Sequence, residues 1–244
     1  MSLVTRLKNF QKRQTVEHRY KKLKRQNLNH AAPEEFNWNW KEIHYNRIAL
    51  LNLMMGSVGG TKARYLEIGC NDNSLFDSVY STDKTGVDPT LGGTHRLTSD
   101  EFFAQNDRKF DLIFVDGLHH YDQIRRDTVN AIQALAPGGW ILFHDFLPRN
   151  WGEHHVPRIQ DTWTGDGWKV AWELTQTAGA DFRIFHIDHG VGALRLNGAT
   201  PELSDLSEEL ADAQFSYFVD IIDKLPVVDW HKGLDWIESG TVAS

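Results

Sequence analysis

The stretch that decides the fold is Tyr65-Leu-Glu-Ile-Gly-Cys-Asn-Asp-Asn-Ser-Leu-Phe76. An apolar run turns through a single glycine, Gly69, and continues towards a helical segment. Asn71 and Asn73 stand where a nucleotide-binding loop often carries glycine. They are the non-glycine residues that best tolerate left-handed backbone angles, so the segment can still turn sharply. A pyrophosphate lying against the backbone favours true glycines. The two asparagines therefore point away from a dinucleotide and towards a ligand without phosphate.

Working outward, residues 64–68, 84–88, 111–115 and 140–144 read as apolar strands. Helical stretches are expected at 74–80, 100–105 and 122–135, and a weak strand at 94–98. This alternation means parallel βαβ units and a sheet covered on both faces. Residues 182–188 and 191–196 read as an antiparallel hairpin closing one edge. Residues 146–162 read as a long loop, 163–177 as a helix, and 40–55 as a helix ended by Gly56, Gly59 and Gly60. The fold expected is α/β and Rossmann-like, a mostly parallel sheet with a C-terminal hairpin and helical extensions at both ends. Its divisions are a basic helical arm at 1–35, the Rossmann-like domain at 36–200 and a helical extension at 201–244.

In such sheets ligands bind beyond the carboxyl ends of the strands. Gly69 lies there, and Glu67 or Asp72 can place an ammonium group. Asp88 follows Gly69 by 19 residues, the spacing at which an acid reaches two ribose hydroxyls. Its alternative reading is a turn residue before Pro89. Asp116 ends one strand; His144 and Asp145 end the next. Neighbouring strands lie about 4.8 Å apart, so these three can hold a divalent ion. In the alternative, Asp116 meets the cofactor, Asp145 meets substrate and His144 points into the core.

The segments YLEIGCNDN, GVDPT, TSDEFF, FDLIFVDGLHHYDQIRRD and LAPGGWILFHDFLP together resemble class I S-adenosylmethionine-dependent methyltransferases. More narrowly, the chain resembles the small-molecule branch that holds the macrocin-type sugar O-methyltransferases, well over 64–150 and loosely to 196. The resemblance implies methyl transfer from S-adenosylmethionine to an oxygen of a small molecule such as a sugar or glycosylated metabolite. The implied cofactor-binding set is Glu67, Gly69, Asn71, Asn73, Asp88, Ser99, Asp100 and Asp116. Ser99 and Asp100 take the adenine, or else cap a helix. The implied catalytic set is His119, Asp116 and Asp145, with His119 rather than His120 as general base. Asp116, His144 and Asp145 are the metal set, for a divalent ion such as magnesium. Trp151 is the candidate to stack on a ring-shaped acceptor; His154 and His155 can touch substrate or metal, and otherwise read as surface residues. Two other readings stay open: a non-catalytic, cofactor-binding relative used for assembly or regulation, and a nicotinamide-dependent oxidoreductase, which the asparagines disfavour.

Composition bounds the rest. Of 244 residues, 41% are hydrophobic and 24% charged, ordinary values for a globular chain. The lone Cys70 excludes an intrachain disulfide and suits a reducing, cytoplasmic setting. No apolar run is long enough to span a bilayer, and residues 1–10 lack a signal-peptide core. The net charge of −7 divides into +8 over residues 1–30 and −15 over the remainder. An acidic body argues against nucleic acid as a partner. Val4, Leu7, Phe10, Val16, Tyr20 and Leu23 give the arm an amphipathic spacing, which suits packing on its own body, on a second subunit, or on an anionic partner. With the apolar tail stripe of Leu206, Leu210, Tyr217, Ile221 and Leu225, this makes a homodimer or larger homo-oligomer the expected assembly.

Overall fold

The computed structural model describes residues 3–241. Seven strands form one sheet in the order β2-β1-β3-β4-β6-β5-β7. They are β1 (Arg64–Ile68), β2 (Asp83–Val87), β3 (Phe110–Val115), β4 (Leu135–Phe143), β5 (Ala180–Phe185), β6 (Val191–Leu196) and β7 (Val227–Val228). Pairings among β1 to β4 are parallel; β6 runs antiparallel to β4 and β5. β3 is central, and Phe110, Leu112, Ile113, Phe114 and Val115 are all buried. That is the continuous apolar run expected of a strand covered on both faces.

The helices are α1 (Leu3–Gln26), α2 (Arg47–Ser57), α3 (Ser99–Gln105), α4 (Tyr121–Ala134), α5 (Trp151–His154), α6 (Trp168–Gln176), α7 (Ser207–Leu210), α8 (Phe215–Ile221) and α9 (Trp230–Thr241). One face of the sheet buries Ile124, Ile132, Trp168, Leu174, Phe215 and Phe218, from α4, α6 and α8. The other buries Leu50, Leu51, Met54 and Ile237, from α2 and α9, against Tyr65, Leu112 and Leu142. Truncating a side chain such as Phe114, wholly buried, to alanine would cost about 3–5 kcal/mol.

The α2 start is set by Asn46, whose side chain accepts from the Ala49 amide at 3.1 Å. At α3 the cap is Thr98 rather than Ser99. Its hydroxyl accepts from the Glu101 amide at 3.2 Å while Glu101 accepts from the Thr98 amide at 2.8 Å, a reciprocal capping box. The helix expected at 163–177 begins only at Trp168, because Gly165 (φ +65°) turns the chain against the His119 carbonyl.

The strand expected at 94–98 reduces to one bridge between Val87 and His95. The amides of Thr94 and His95 both return to the Gly86 carbonyl, at 2.8 and 2.9 Å. This folds the segment over the end of β2 instead of extending it, so β2 forms the sheet's edge. Likewise, the helix expected at 74–80 is a single 3₁₀ turn at Phe76–Ser78. The Asp72 carboxylate accepts from the Ser74 amide and hydroxyl at 3.0 and 2.6 Å, and this side-chain turn competes with a helix start.

In α1 the side chains of Val4 and Leu7 lie outside the described residues, so their half of the expected stripe does too. Phe10 is exposed, whereas Val16, Tyr20 and Leu23 are half-buried at helical spacing. Lys24 Nζ stands 5.1 Å over the Trp151 ring, and the Arg158 guanidinium 5.9 Å over Tyr20. The arm thus packs on its own body. No helix among the described residues is long and apolar enough to cross a membrane.

Candidate functional site

The sheet register aligns the site. Ile68 lies opposite Val115, and Val115 opposite Phe143, so the next residues, Gly69, Asp116 and His144, fall in one row at the strands' carboxyl ends. The ladder continues one step past the strands: the Gly69 amide donates to Val87 O, Asp116 to Ile68 O and His144 to Val115 O, at 2.8, 2.9 and 3.2 Å. Above this row is a cavity of about 610 Å³. Gly69, Asn71, Asp88, Ser99, Asp116, His119, His144 and Asp145 line it.

Gly69 has φ +90°, and a β-carbon there would lie 2.1 Å from the Asp116 carbonyl oxygen. The neighbouring strand end, as much as any ligand, demands glycine. Asn71 and Asn73 adopt φ +47° and +67°, the left-handed conformation expected of them. Asp88 ties the loop together. One carboxylate oxygen accepts from the Asn71 amide at 2.9 Å; the other accepts from the Thr90 amide and hydroxyl and the Leu91 amide, at 2.8 to 2.9 Å. Burial pushes its pKa up, but the Leu91, Thr90 and Asn71 amides outweigh this and hold it below the usual range.

Some expected residues stand off the cavity. Glu67 is buried beneath its floor and accepts from the Tyr65 hydroxyl at 2.6 Å; burial lifts its pKa to about 7. Its position in β1 turns it to the same side of the sheet as Tyr65, whereas Ile68 lines the cavity. Asn73 is spent on the Gly93 amide at 2.6 Å. Asp72 is held by its own turn with Ser74. Asp100 faces Gln123 and Arg126, at 3.2 and 3.4 Å. Trp151 is covered by Lys24 and does not line the cavity. His154 and His155 are buried, not surface: Trp168 Nε1 donates to His154 Nδ1 at 2.9 Å, and His155 Nε2 lies 3.2 Å from His30 Nδ1. Of the adjacent pair, His119 lines the cavity and His120 does not.

Asp116, His119, His144 and Asp145 form one cluster. Asp116 Oδ1 lies 3.2 Å from both His119 Nε2 and His144 Nδ1. Asp145 Oδ2 lies 3.1 Å from His119 Nδ1, without hydrogen-bond alignment, and 3.4 Å from His144 Nδ1. Asp145 reaches this position through a left-handed backbone, φ +64°. Trp163 stacks on His119 at 5.4 Å between ring centres. Burial pushes Asp116 up, but His144 and His119 outweigh it and hold the carboxyl far below its usual range. Burial pushes both imidazoles down, yet the Asp145 and Asp116 charges raise His119 and raise His144 well above the ordinary value.

Ligand atoms of Asp116, His144 and Asp145 lie within 4.8 Å of one another. Two carboxylates and an imidazole suit a small divalent cation such as Mg²⁺ or Mn²⁺. His144 Nε2 lies 2.8 Å from the Asp188 carbonyl. Placing its proton there leaves Nδ1 facing the two acids, the arrangement of a metal-binding imidazole held by an outer partner.

Sequence reading missed three residues. Arg47 lines the cavity from the start of α2; Asp188, in the β5–β6 turn, pairs with it at 2.8 Å. Gln123 lines the cavity from α4, its amide 3.0 Å from Ser99 Oγ and 3.0 Å from the buried Asp127 carboxylate. Arg47 and Asp188 belong to no spaced motif and meet through tertiary packing; Gln123 lies within FDLIFVDGLHHYDQIRRD, where no spacing marks it as a ligand.

Residues 55–146 match the family described as a methyltransferase domain. No curated protein sequence matches the chain. Among solved structures, MycE, a methyltransferase of the mycinamycin biosynthetic pathway solved with Mg, SAH and mycinamycin VI, is similar at 14% identity and a TM-score of 0.40. That match covers 60% of this chain and 48% of MycE, so the chain spans about half that protein's length. The SAH-bound methyltransferase PaMTH1 of Podospora anserina is similar at 17% identity, over 66% of this chain and 86% of that one, with a TM-score of 0.46. The sugar N-methyltransferase KedS8 of a Streptoalloteichus species is similar at 11% identity, over 68% and 95%, with a TM-score of 0.46.

Proposed function

We propose that the chain, whose residues 55–146 match a methyltransferase-domain family, transfers a methyl group from S-adenosylmethionine to an oxygen of a small molecule, a sugar or glycosylated metabolite. The carrying observation is the shared cavity. It joins the Gly69 loop and Asp88 to a four-residue acid–imidazole cluster. Asp88 and the Asn71 backbone serve the ribose, and Ser99 with Gln123 the adenine. A cluster of acids and imidazoles beside a cofactor loop favours catalysis over the non-catalytic reading.

When bound, S-adenosylmethionine supplies an electrophilic methyl carbon, and a divalent ion held by Asp116, His144 and Asp145 supplies a Lewis acid. The chain's own task is orientation and proton removal. Asp116 Oδ1, 3.2 Å from His119 Nε2, and Asp145 Oδ2, 3.1 Å from Nδ1, hold the imidazole in place between them. With cofactor and acceptor bound, the His119 imidazole would take the hydroxyl proton of the acceptor, and S-adenosylmethionine would supply the methyl group that the freed oxygen attacks. The two acids strengthen His119 as a base. Leu118, 52% exposed at the mouth of the cavity, offers an apolar edge to the acceptor.

Calorimetry with S-adenosylhomocysteine, followed by mass spectrometry of candidate sugar acceptors for a methyl-sized gain, tests the reading. Binding of NAD in preference, or of neither ligand, overturns it. We further propose a homo-oligomer in which α1 takes part. Light scattering of the full chain should exceed the monomer mass, and a chain starting near Glu35 should lose the excess.

A further inference from the structure

Arg47 is the only Lys or Arg among the described residues that line the cavity. Its guanidinium is held from one side only. Nη1 donates to Asp188 Oδ2 at 2.8 Å and lies 3.2 Å from His144 Nε2, and the Arg47 amide reaches the same Asp188 oxygen at 3.2 Å. Nε is buried without a partner. Asp188 aims the group while about a third of the side chain, 31%, stays exposed.

We propose that Arg47 receives the α-carboxylate at the methionine end of the cofactor, an inference that rests on the reading above. Asp88, Ser99 and Gln123 place the adenosine at one end of the cavity. Arg47 lies at the other, its Nη1 3.2 Å from His144 Nε2 just past the end of β4. The other charged lining residues, Asp88, Asp116 and Asp145, attract cations. The His119 and His144 rings are taken up by Asp116 and Asp145, which leaves Arg47 to complement the cofactor's one anionic group, and a planar guanidinium matches a carboxylate in shape as well as charge. Asp188 is the positioning residue that presents it.

The test compares two ligands by calorimetry, with no acceptor present: S-adenosylhomocysteine and its decarboxylated analogue, S-adenosyl-3-thiopropylamine. The wild type should bind the first about 10–100-fold more tightly, the range of a hydrogen bond to a charged group. Arg47→Met should bring the two affinities within about twofold of each other, and Arg47→Lys should keep part of the preference. Asp88→Ala, at the opposite end, should weaken both ligands alike. A wild type that binds both ligands equally overturns the proposal, as does an Arg47→Met variant that keeps the preference or loses both ligands in equal measure. The last result would mean a merely structural arginine, or one that serves the acceptor. Should Arg47→Met fail to fold, the wild-type comparison and Arg47→Lys still decide. If the wild type binds neither ligand, the cofactor reading itself fails, and that outcome is distinct from the others.

Discussion

His144 Nε2 lies 2.8 Å from the Asp188 carbonyl oxygen, and this contact decides which ring nitrogen meets Asp116 and Asp145. The β5–β6 turn thereby orients a side chain at the end of β4. With Nδ1 directed at the acids, the trio should bind Mn²⁺ measurably by calorimetry or electron paramagnetic resonance. Asp145→Ala should weaken binding at least about tenfold, a loss at least as large as that for removing an outer-shell partner. If the ion activates the acceptor, chelator should abolish turnover. Activity that persists in chelator would remove the metal from the mechanism.

His119→Ala should lower turnover by about 10²–10⁴-fold, the usual contribution of general base catalysis. Cofactor affinity should stay nearly unchanged, because the ring contacts the acids and Trp163 rather than the Gly69 loop. His120→Ala, one residue on and outside the cavity lining, should leave turnover within a few-fold of wild type. Equal losses in both variants would sink the assignment.

Asp88→Ala should weaken S-adenosylhomocysteine binding by about 1.5–3 kcal/mol, the scale of hydrogen bonds to a charged group. The same substitution should lower the melting temperature, because it frees the loop amides of Asn71, Thr90 and Leu91. A binding loss without a thermal loss would mean that the carboxylate serves the ribose alone.

Glu67 gives stability a pH dependence of definite sign. Its folded pKa of about 7, raised by burial, exceeds the ordinary value of about 4.3. Below that lower value both states hold the proton, and the group has no effect. As pH rises from about 4.3 to about 7 the unfolded chain has lost the proton while the folded carboxyl keeps it, so stability falls over that window by on the order of 3 kcal/mol. Glu67→Gln should flatten this slope in urea unfolding between pH 5 and 8. An unchanged slope would show that the carboxyl titrates normally.

The sequence was most informative where local chemistry and topology agree. Gly69, Asn71 and Asn73 could be read because a left-handed turn after a strand admits few residue types. Asp116, His144 and Asp145 could be read because consecutive parallel strands end at one rim. The strand at 94–98 was misread because Gly93, Thr94 and His95 fold the chain back onto Gly86, a contact about 7 to 9 residues away that carries no periodicity. Glu67 was misplaced by one step of strand alternation: Ile68 meets the cavity and Glu67 the core. Arg47 and Asp188 were invisible, since their pairing spans 141 residues and nothing near either one announces it.

The sheet order has a consequence for synthesis. β4 must wait for β6, which follows the whole of α6 and β5, before its outer edge is paired. Until residue 196 has left the ribosome, Ile141, Leu142 and Phe143 present an apolar strand with open backbone groups, the template on which chains aggregate. The residue that completes the Arg47 pair, Asp188, arrives in the same hairpin. Covering the edge and completing the site are therefore one event, and a nascent chain halted before it exposes a sticky edge and lacks a finished cavity.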